Sequence, residues 1–222
     1  MRHKPRATPA QAASPDASSA TSAARLLQLF SIPLAFTDDL LDTPANAAIT
    51  RWVMQERARD AGVQRSIVGG WHSKPDLPMR GAPELDLLFG AMVEQVRQVH
   101  SQVSQSGDMK VRFMLQAWAT VMERGHYVHI HDHADSHWSA VYYVDAGDGD
   151  DPASGRISWI NPIGSHRSLP GVTLVPTTFT CTPRTGLLAV FPGWLRHSVE
   201  PYQGQRPRVV VAANIEVQRP RS

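Results

Sequence analysis

The chain has 222 residues, of which 22 are basic and 20 acidic, giving a formal net charge of +2. That length suits one well-buried domain, and so even a charge balance excludes a nucleic-acid or membrane partner held by bulk electrostatics. One cysteine, Cys181, rules out an intramolecular disulfide and fits a reducing, cytoplasmic setting, while no apolar run approaches the ~18 residues of a membrane span.

Residues 1–24 are rich in Ala, Ser, Pro and Thr and carry no large apolar side chain after Met1. Such a segment buries too little surface to offset its ordering entropy, which predicts a mobile tail. A transit peptide or an expression artefact are the alternatives. No apolar stretch follows the basic start, as a secretory signal requires. Residues 25–222 then read as one domain, with a helical part over 25–108 and a β-rich part over 109–222. Leu26–Phe36 reads as an edge strand interrupted by Pro33. Thr43-Pro44 opens a helix, Thr43 as cap and Pro44 at the first helical position. That helix runs to about Asp60, with Gly62 past its end. Its apolar face is Ala45, Ala48, Ile49, Trp52 and Val53. A loop carries Gly69-Gly70-Trp71-His72-Ser73. A second helix starts after Pro83, where Leu85, Leu88, Phe89, Met92, Val96, Val99 and Val103 follow the helical period.

From Lys110 the pattern turns to strands: Val111–Met122, His126–His133, Ser139–Val144, Arg156–Ile160, Val172–Val175, Phe179–Thr182, Leu187–Phe191 and Val209–Val217. Two helices followed by about eight short strands predict a mainly β fold with flanking helices, a helix-backed sandwich or barrel.

The chemistry concentrates in Tyr127-Val128-His129-Ile130-His131-Asp132-His133 and Phe191-Pro192-Gly193-Trp194-Leu195-Arg196-His197. On a regular strand, period two puts Tyr127, His129, His131 and His133 on one face, where paired imidazoles can converge on one metal ion. His129 reads as a surface or supporting residue and His137, beside Trp138, as structural. His197 begins a strand after a proline turn. A third imidazole delivered there closes a facial triad of the non-haem iron type. Arg208 begins the last strand, eleven residues after His197, and a guanidinium there can make a bidentate bond to a carboxylate. Arg206 shares its strand parity and is the neighbouring alternative; the spacing to His197 favours Arg208. His133-Ala134-Asp135 is also a literal His-x-Asp, so Asp135 stands as the alternative third ligand to His133.

On these residues the chain resembles a bacterial and phage family of 2-oxoglutarate- and Fe(II)-dependent oxygenases. That family's pattern is His-x-His-Pro, Ser-Gly-Val-Tyr-Tyr, Phe-Pro-Ser-Trp-Leu-x-His-x-Val-x-Pro, then Arg-Ile-Ser and an Asn. Here the matching stretches are His131-Asp132-His133-Ala134, Ser139-Ala140-Val141-Tyr142-Tyr143, Phe191 to Pro201, and Arg208-Val209-Val210 with Asn214. Gly69 to Ser73 and Trp118 match as well, and the resemblance runs from about Leu29 to Val217. Ala134 replaces proline, Ala140 replaces glycine, and Asn161-Pro162 stands where Asp-Pro is usual.

The resemblance implies a double-stranded β-helix, or jelly-roll. It implies Fe(II) on His131, His133 and His197, and 2-oxoglutarate with its far carboxylate on Arg208. Tyr143 is a candidate donor to that carboxylate, with core packing as its other role. The implied reaction hydroxylates an unactivated C–H of a small-molecule or peptide substrate, releasing succinate and CO2. The alternatives are a three-histidine cupin-type dioxygenase that uses no keto-acid, and a non-catalytic metal-binding jelly-roll. No nucleic acid or membrane is expected, and the sequence sets no oligomeric state, a homodimer included.

Overall fold

Eleven strands, two α-helices and a short 3-10 helix at Leu77–Met79 are the elements of the described part of the chain, which in this computed structural model comprises residues 30–104, 110–163 and 176–219. Contacts divide the chain into Met1–Ser31 and Ile32–Ser222, and the fold below is that of the second unit. The tail expected over residues 1–24, the strand start at Leu26–Leu29 and the strand expected at Val172–Val175 lie outside the described residues.

Helix α1 spans Thr43–Arg59 and α2 spans Pro83–Val103. The cap of α1 is Asp42, one residue earlier than expected: its carboxylate accepts from the Ala45 N–H at 2.9 Å. An ionised acceptor at the positive end of the helix outcompetes the Thr43 hydroxyl, and Pro44 stays in the first turn, where no N–H is needed. Ile49, Val53 and Asn46 are buried, and the Asn46 side-chain oxygen accepts from the Tyr142 hydroxyl at 2.6 Å. Helix α2 buries Leu85, Leu88, Phe89, Met92 and Val96, whereas Val103 at its end is exposed. Among the described residues no helix is long and apolar enough to cross a membrane.

The strands are β1 Ala35–Thr37, β2 Ile67–Val68, β3 Trp71–His72, β4 Arg112–Met122, β5 Tyr127–His131, β6 Trp138–Asp145, β7 Ile157–Ile160, β8 Thr178–Cys181, β9 Leu188–Pro192, β10 His197–Val199 and β11 Arg208–Gln218. They form two antiparallel sheets, ordered β1-β9-β6-β11-β4-β3 and β2-β5-β10-β7-β8. The loop expected at Gly69–Ser73 thus follows β2 directly and holds the whole of β3, with Gly69 between the two strands at φ +78°. Two sheets whose strands exchange sides in sequence are the double-stranded β-helix, with the helices packed outside.

Period two sorts the larger sheet. On β11, Val209, Val211, Ala213 and Ile215 join the core under α1 and α2, as do Ala117, Ala119 and Val121 of β4. The alternate residues face inward between the sheets, and that inward face holds the site.

Candidate active site

The inward face of the larger sheet reads as a ladder of β11–β4 pairs: Arg208 opposite Met122, Val210 opposite Thr120, Ala212 opposite Trp118, Asn214 opposite Gln116. All eight residues line one cavity of about 400 Å³. His131, His133 and His197 line it from the opposing side.

Strand β5 delivers His131 differently from a regular strand. His197 pairs with His131 and Val199 with Val128, so β5 has one more residue than β10 between the two pairs. This bulge reverses the alternation. Val128 and His131 both reach the cavity, and His129 is exposed. Strand β5 also ends at His131, so His133 arrives from the following loop and not by strand parity. Its backbone is pinned there: its N–H donates to the Gly193 carbonyl at 2.7 Å, and its own carbonyl accepts from Ser136 N and Oγ at 2.9 and 2.8 Å. His197 starts β10 at 3% exposure.

The three rings each offer one nitrogen, and these atoms lie within 4.8 Å of one another. The Nδ1–H of His131 donates to the His129 carbonyl at 2.8 Å, and that of His197 to the Leu195 carbonyl at 2.9 Å. A carbonyl only accepts, so these rings carry hydrogen on Nδ1 and present Nε2 as a lone pair. Backbone carbonyls behind imidazoles are the usual support of metal-binding histidines. Burial lowers all three pKa values, with the neighbouring imidazoles adding to it at His133 and His197: His133 falls to about 4 and His197 to about 3. All three are therefore neutral at neutral pH, the state a metal requires.

At the other end of the ladder, Arg208 is 2% exposed. One guanidinium nitrogen donates to the Gly155 carbonyl at 2.6 Å and another contact is the Met122 sulfur at 4.0 Å. Its Nε has no hydrogen-bond partner, nor does the Tyr143 hydroxyl. The guanidinium carbon lies 5.0 Å from the centre of the Tyr143 ring. Burial pushes the Tyr143 hydroxyl up to about 12, with Arg208 opposing that rise, so Tyr143 is a hydrogen donor at any physiological pH. No carboxylate among the described residues pairs with Arg208. A buried cation and a buried hydroxyl left open on one cavity suit a carboxylate ligand.

The remaining expectations divide. Arg206 is outside the cavity, exposed and paired with Asp145 at 3.3 Å and Asp148 at 3.8 Å. It precedes β11, so strand parity does not reach it. Asp135 is exposed and belongs neither to the nitrogen cluster nor to the cavity wall. His137 is exposed and accepts from the Val217 N–H at 3.1 Å.

His72 was legible only as part of a motif. It is buried on β3, with Nδ1 2.6 Å from the Ser73 carbonyl, and its ring stacks on Trp118 at 5.6 Å. Trp118 in turn sits 5.5 Å from the His133 ring. Arg65, Ser66 and Asp132 also line the cavity; no spacing rule marks them.

The fit to an iron and a keto-acid is good on these observations. Three neutral imidazoles suit a divalent first-row metal, and the open guanidinium and phenol suit the far carboxylate of a dianion.

The family model described as "Putative 2OG-Fe(II) oxygenase" matches residues 116–214. No curated protein matches the chain in sequence. Among solved structures, a prolyl-4-hydroxylase from Pseudomonas putida is 17% identical, with 87% of this chain and 96% of that one covered at a TM-score of 0.58. HygX from Streptomyces hygroscopicus, solved with nickel and 2-oxoglutarate, is 12% identical over 83% of each chain at 0.59. A prolyl hydroxylase from Trichoplax adhaerens, solved with a hypoxia-inducible-factor peptide, is 12% identical over 82% of this chain and 83% of that one at 0.60. At such identities these likenesses establish the jelly-roll fold. The family match adds the chemistry, because its span from Gln116 to Asn214 takes in every histidine of the cluster as well as Tyr143 and Arg208. Over that span the chain is similar to the 2-oxoglutarate- and Fe(II)-dependent oxygenases.

Proposed function

We propose that His131, His133 and His197 hold Fe(II) through one nitrogen each, that Arg208 and Tyr143 hold the far carboxylate of 2-oxoglutarate, and that the enzyme hydroxylates a C–H bond of a small-molecule or peptide substrate. The observation that carries this reading is the unpaired, buried Arg208 on the floor of the cavity whose wall carries the three imidazoles. With its cofactors bound, such a site converts O2 and 2-oxoglutarate to succinate and CO2 and puts one oxygen atom into the substrate. Overall, a C–H becomes a C–OH.

The chain's own residues supply position and shelter. The His129 and Leu195 carbonyls fix the tautomer and the aim of two ligands. The guanidinium of Arg208 neutralises one carboxylate and the Tyr143 hydroxyl donates to it. Val141, Val210 and Ile157 wall off water around that carboxylate. Three neutral imidazoles, Fe(II) and a dianionic keto-acid sum to zero charge, which a buried site tolerates. The single cysteine is consistent with action in the cytoplasm.

Iron analysis after dialysis tests the ligand set. His131→Ala, His133→Ala and His197→Ala should each lose iron, while Asp135→Ala should keep it. Iron retained in His133→Ala and lost in Asp135→Ala would move the third ligand to the carboxylate. Oxygen uptake without any keto-acid would instead support a three-histidine dioxygenase.

A further inference from the structure

Two of the three imidazoles are aimed by a hydrogen bond, and the third is not. Nδ1 of His131 and Nδ1 of His197 each hold a backbone carbonyl. Neither ring nitrogen of His133 has a hydrogen-bond partner among the described residues. His133 also lies beyond the end of β5. Its backbone is pinned to Gly193 and Ser136, but a pinned backbone still leaves the side-chain torsions of an imidazole to be set. Apart from the other two imidazoles, the ring packed against it is the indole of Trp118, 5.5 Å between centres and tilted by 47°.

Trp118 is itself held. Its side chain is 9% exposed, and the His72 ring lies nearly parallel to the indole, 5.6 Å away with 12° between the planes, an offset stack. His72 pairs with Thr120, two residues from Trp118 on the same face of β4. The Nδ1–H of His72 donates to the Ser73 carbonyl at 2.6 Å. Ser73 closes onto β4 beside Trp118: its N–H donates to the Ala119 carbonyl, and its hydroxyl accepts from the Ala119 N–H, both at 2.9 Å. Ser73 and His72 are both buried. The end of the Gly69 to Ser73 stretch thus forms a chain of contacts that runs from the β4 backbone through His72 and Trp118 to His133.

Resting on the three-histidine metal reading, we propose that Trp118, clamped by His72, is the positioning residue for His133. Ring packing does for this ligand what the His129 and Leu195 carbonyls do for the other two by hydrogen bonding. An indole steadies a neighbour only if it cannot swing itself, and the His72 plane, tied to Ser73, closes one side of it. Without the pair, the torsions of His133 would have to be ordered at the moment of metal binding, at a cost in affinity.

Co(II) alone is the probe, titrated into metal-free full-length protein and read by its visible d–d absorption. Wild-type binding that His197→Ala abolishes establishes the histidine site. Trp118→Leu keeps an apolar side chain and loses the plane; it should weaken Co(II) binding at least about tenfold, the usual loss when the support of a metal ligand is removed. His72→Leu should weaken binding in the same direction, and His72→Phe, which restores a plane without ring nitrogens, should recover most of that loss. Leu88→Ala, in the core on the helix side of the larger sheet, should lower stability and leave Co(II) affinity unchanged, which separates positioning from a merely structural role. If Trp118→Leu fails to fold, the two His72 variants decide alone. Folded Trp118→Leu or His72→Leu that binds Co(II) like the wild type overturns the inference and leaves the metal site standing. Equal weakening in His72→Leu and His72→Phe also overturns it, because the imidazole nitrogen and not the stack would then be what matters. So does a loss in Leu88→Ala as large as that in Trp118→Leu. Wild-type protein that binds no Co(II) sinks both readings.

Discussion

A guanidinium that is 2% exposed and faces no carboxylate among the described residues is a costly arrangement unless a ligand completes it. Arg208 should therefore matter for the keto-acid and little for the metal. Truncating one partner of a sheltered charge pair costs on the order of 3 kcal/mol, or about a hundredfold in affinity. Arg208→Ala should raise the 2-oxoglutarate requirement by that factor while iron still binds. Arg206→Ala should do little, because Arg206 faces Asp145 and Asp148 at the surface. A titration of both iron-loaded variants with 2-oxoglutarate distinguishes them, and failure of Arg206→Ala alone would reverse the assignment. Gly155 aims the arginine. Its carbonyl takes the 2.6 Å bond, its φ is +59°, and an added Cβ would stand 2.2 Å from the guanidinium nitrogen. Gly155→Ala combines backbone strain with that clash. It should weaken 2-oxoglutarate binding at least about tenfold, a modest share of what removing Arg208 costs. Equal 2-oxoglutarate affinity in Gly155→Ala and wild type, read by the same titration, would remove Gly155 from the site's support.

At the scale of elements, β4 and β11 were readable in the sequence as strands; the alternation that sorts helix-facing from cavity-facing residues without exception from Arg208 to Ile215 was not, because Val209 to Ala213 are all apolar. The distal histidine at the start of β10 was readable too, from the proline turn before it. The geometry of the paired histidines was not. The bulge between Val128 and His131 depends on register against β10, a strand nearly 70 residues away in sequence, and strand parity alone predicted a shared face for His129 that it does not have. The cap on α1 was misplaced because Asp42 and Thr43 are both good caps, and only the fold of the preceding loop selects between them. Asp42→Ala should destabilise the protein by about 1 kcal/mol, the usual worth of a cap. Leu88→Ala, fully buried under the sheet, should cost about 2–5 kcal/mol. Urea unfolding of the two variants checks the order; a larger loss from the cap would mean that α2 packs less tightly than its burial indicates.

For the whole molecule, two leading helices and about eight strands were enough to expect a helix-backed sandwich or barrel, and the family resemblance carried by the motifs supplied the jelly-roll and the reaction class. His72 and Arg65 escaped notice as cavity residues because the short β3–β4 and β2–β5 pairings bring them there, and Asp132 because nothing in the spacing of its motif marks it as a wall residue. The buried imidazoles also set a pH response. Folding lowers His133 to about 4 and His197 to about 3, from about 6.5 in an unfolded chain. Between those values the unfolded state binds more protons, so stability rises with pH and is lost as pH falls. Metal-free protein should be most stable above about pH 6.5 and weaken steadily toward pH 4. Melting curves across that range check this, and His133→Asn should flatten the slope. A wild-type slope of opposite sign would mean that the imidazoles are charged in the folded state.

The central claim is that three imidazoles and one arginine assemble Fe(II) and 2-oxoglutarate in a single cavity. Anaerobic titration of the protein with Fe(II), then with 2-oxoglutarate, tests it most directly by absorbance. A visible metal-to-ligand charge-transfer band should appear only when both are present, saturate at one iron per chain, vanish in His197→Ala, and require far more 2-oxoglutarate in Arg208→Ala. Iron that binds tightly to the wild type and gives no such band at any 2-oxoglutarate concentration would contradict the account.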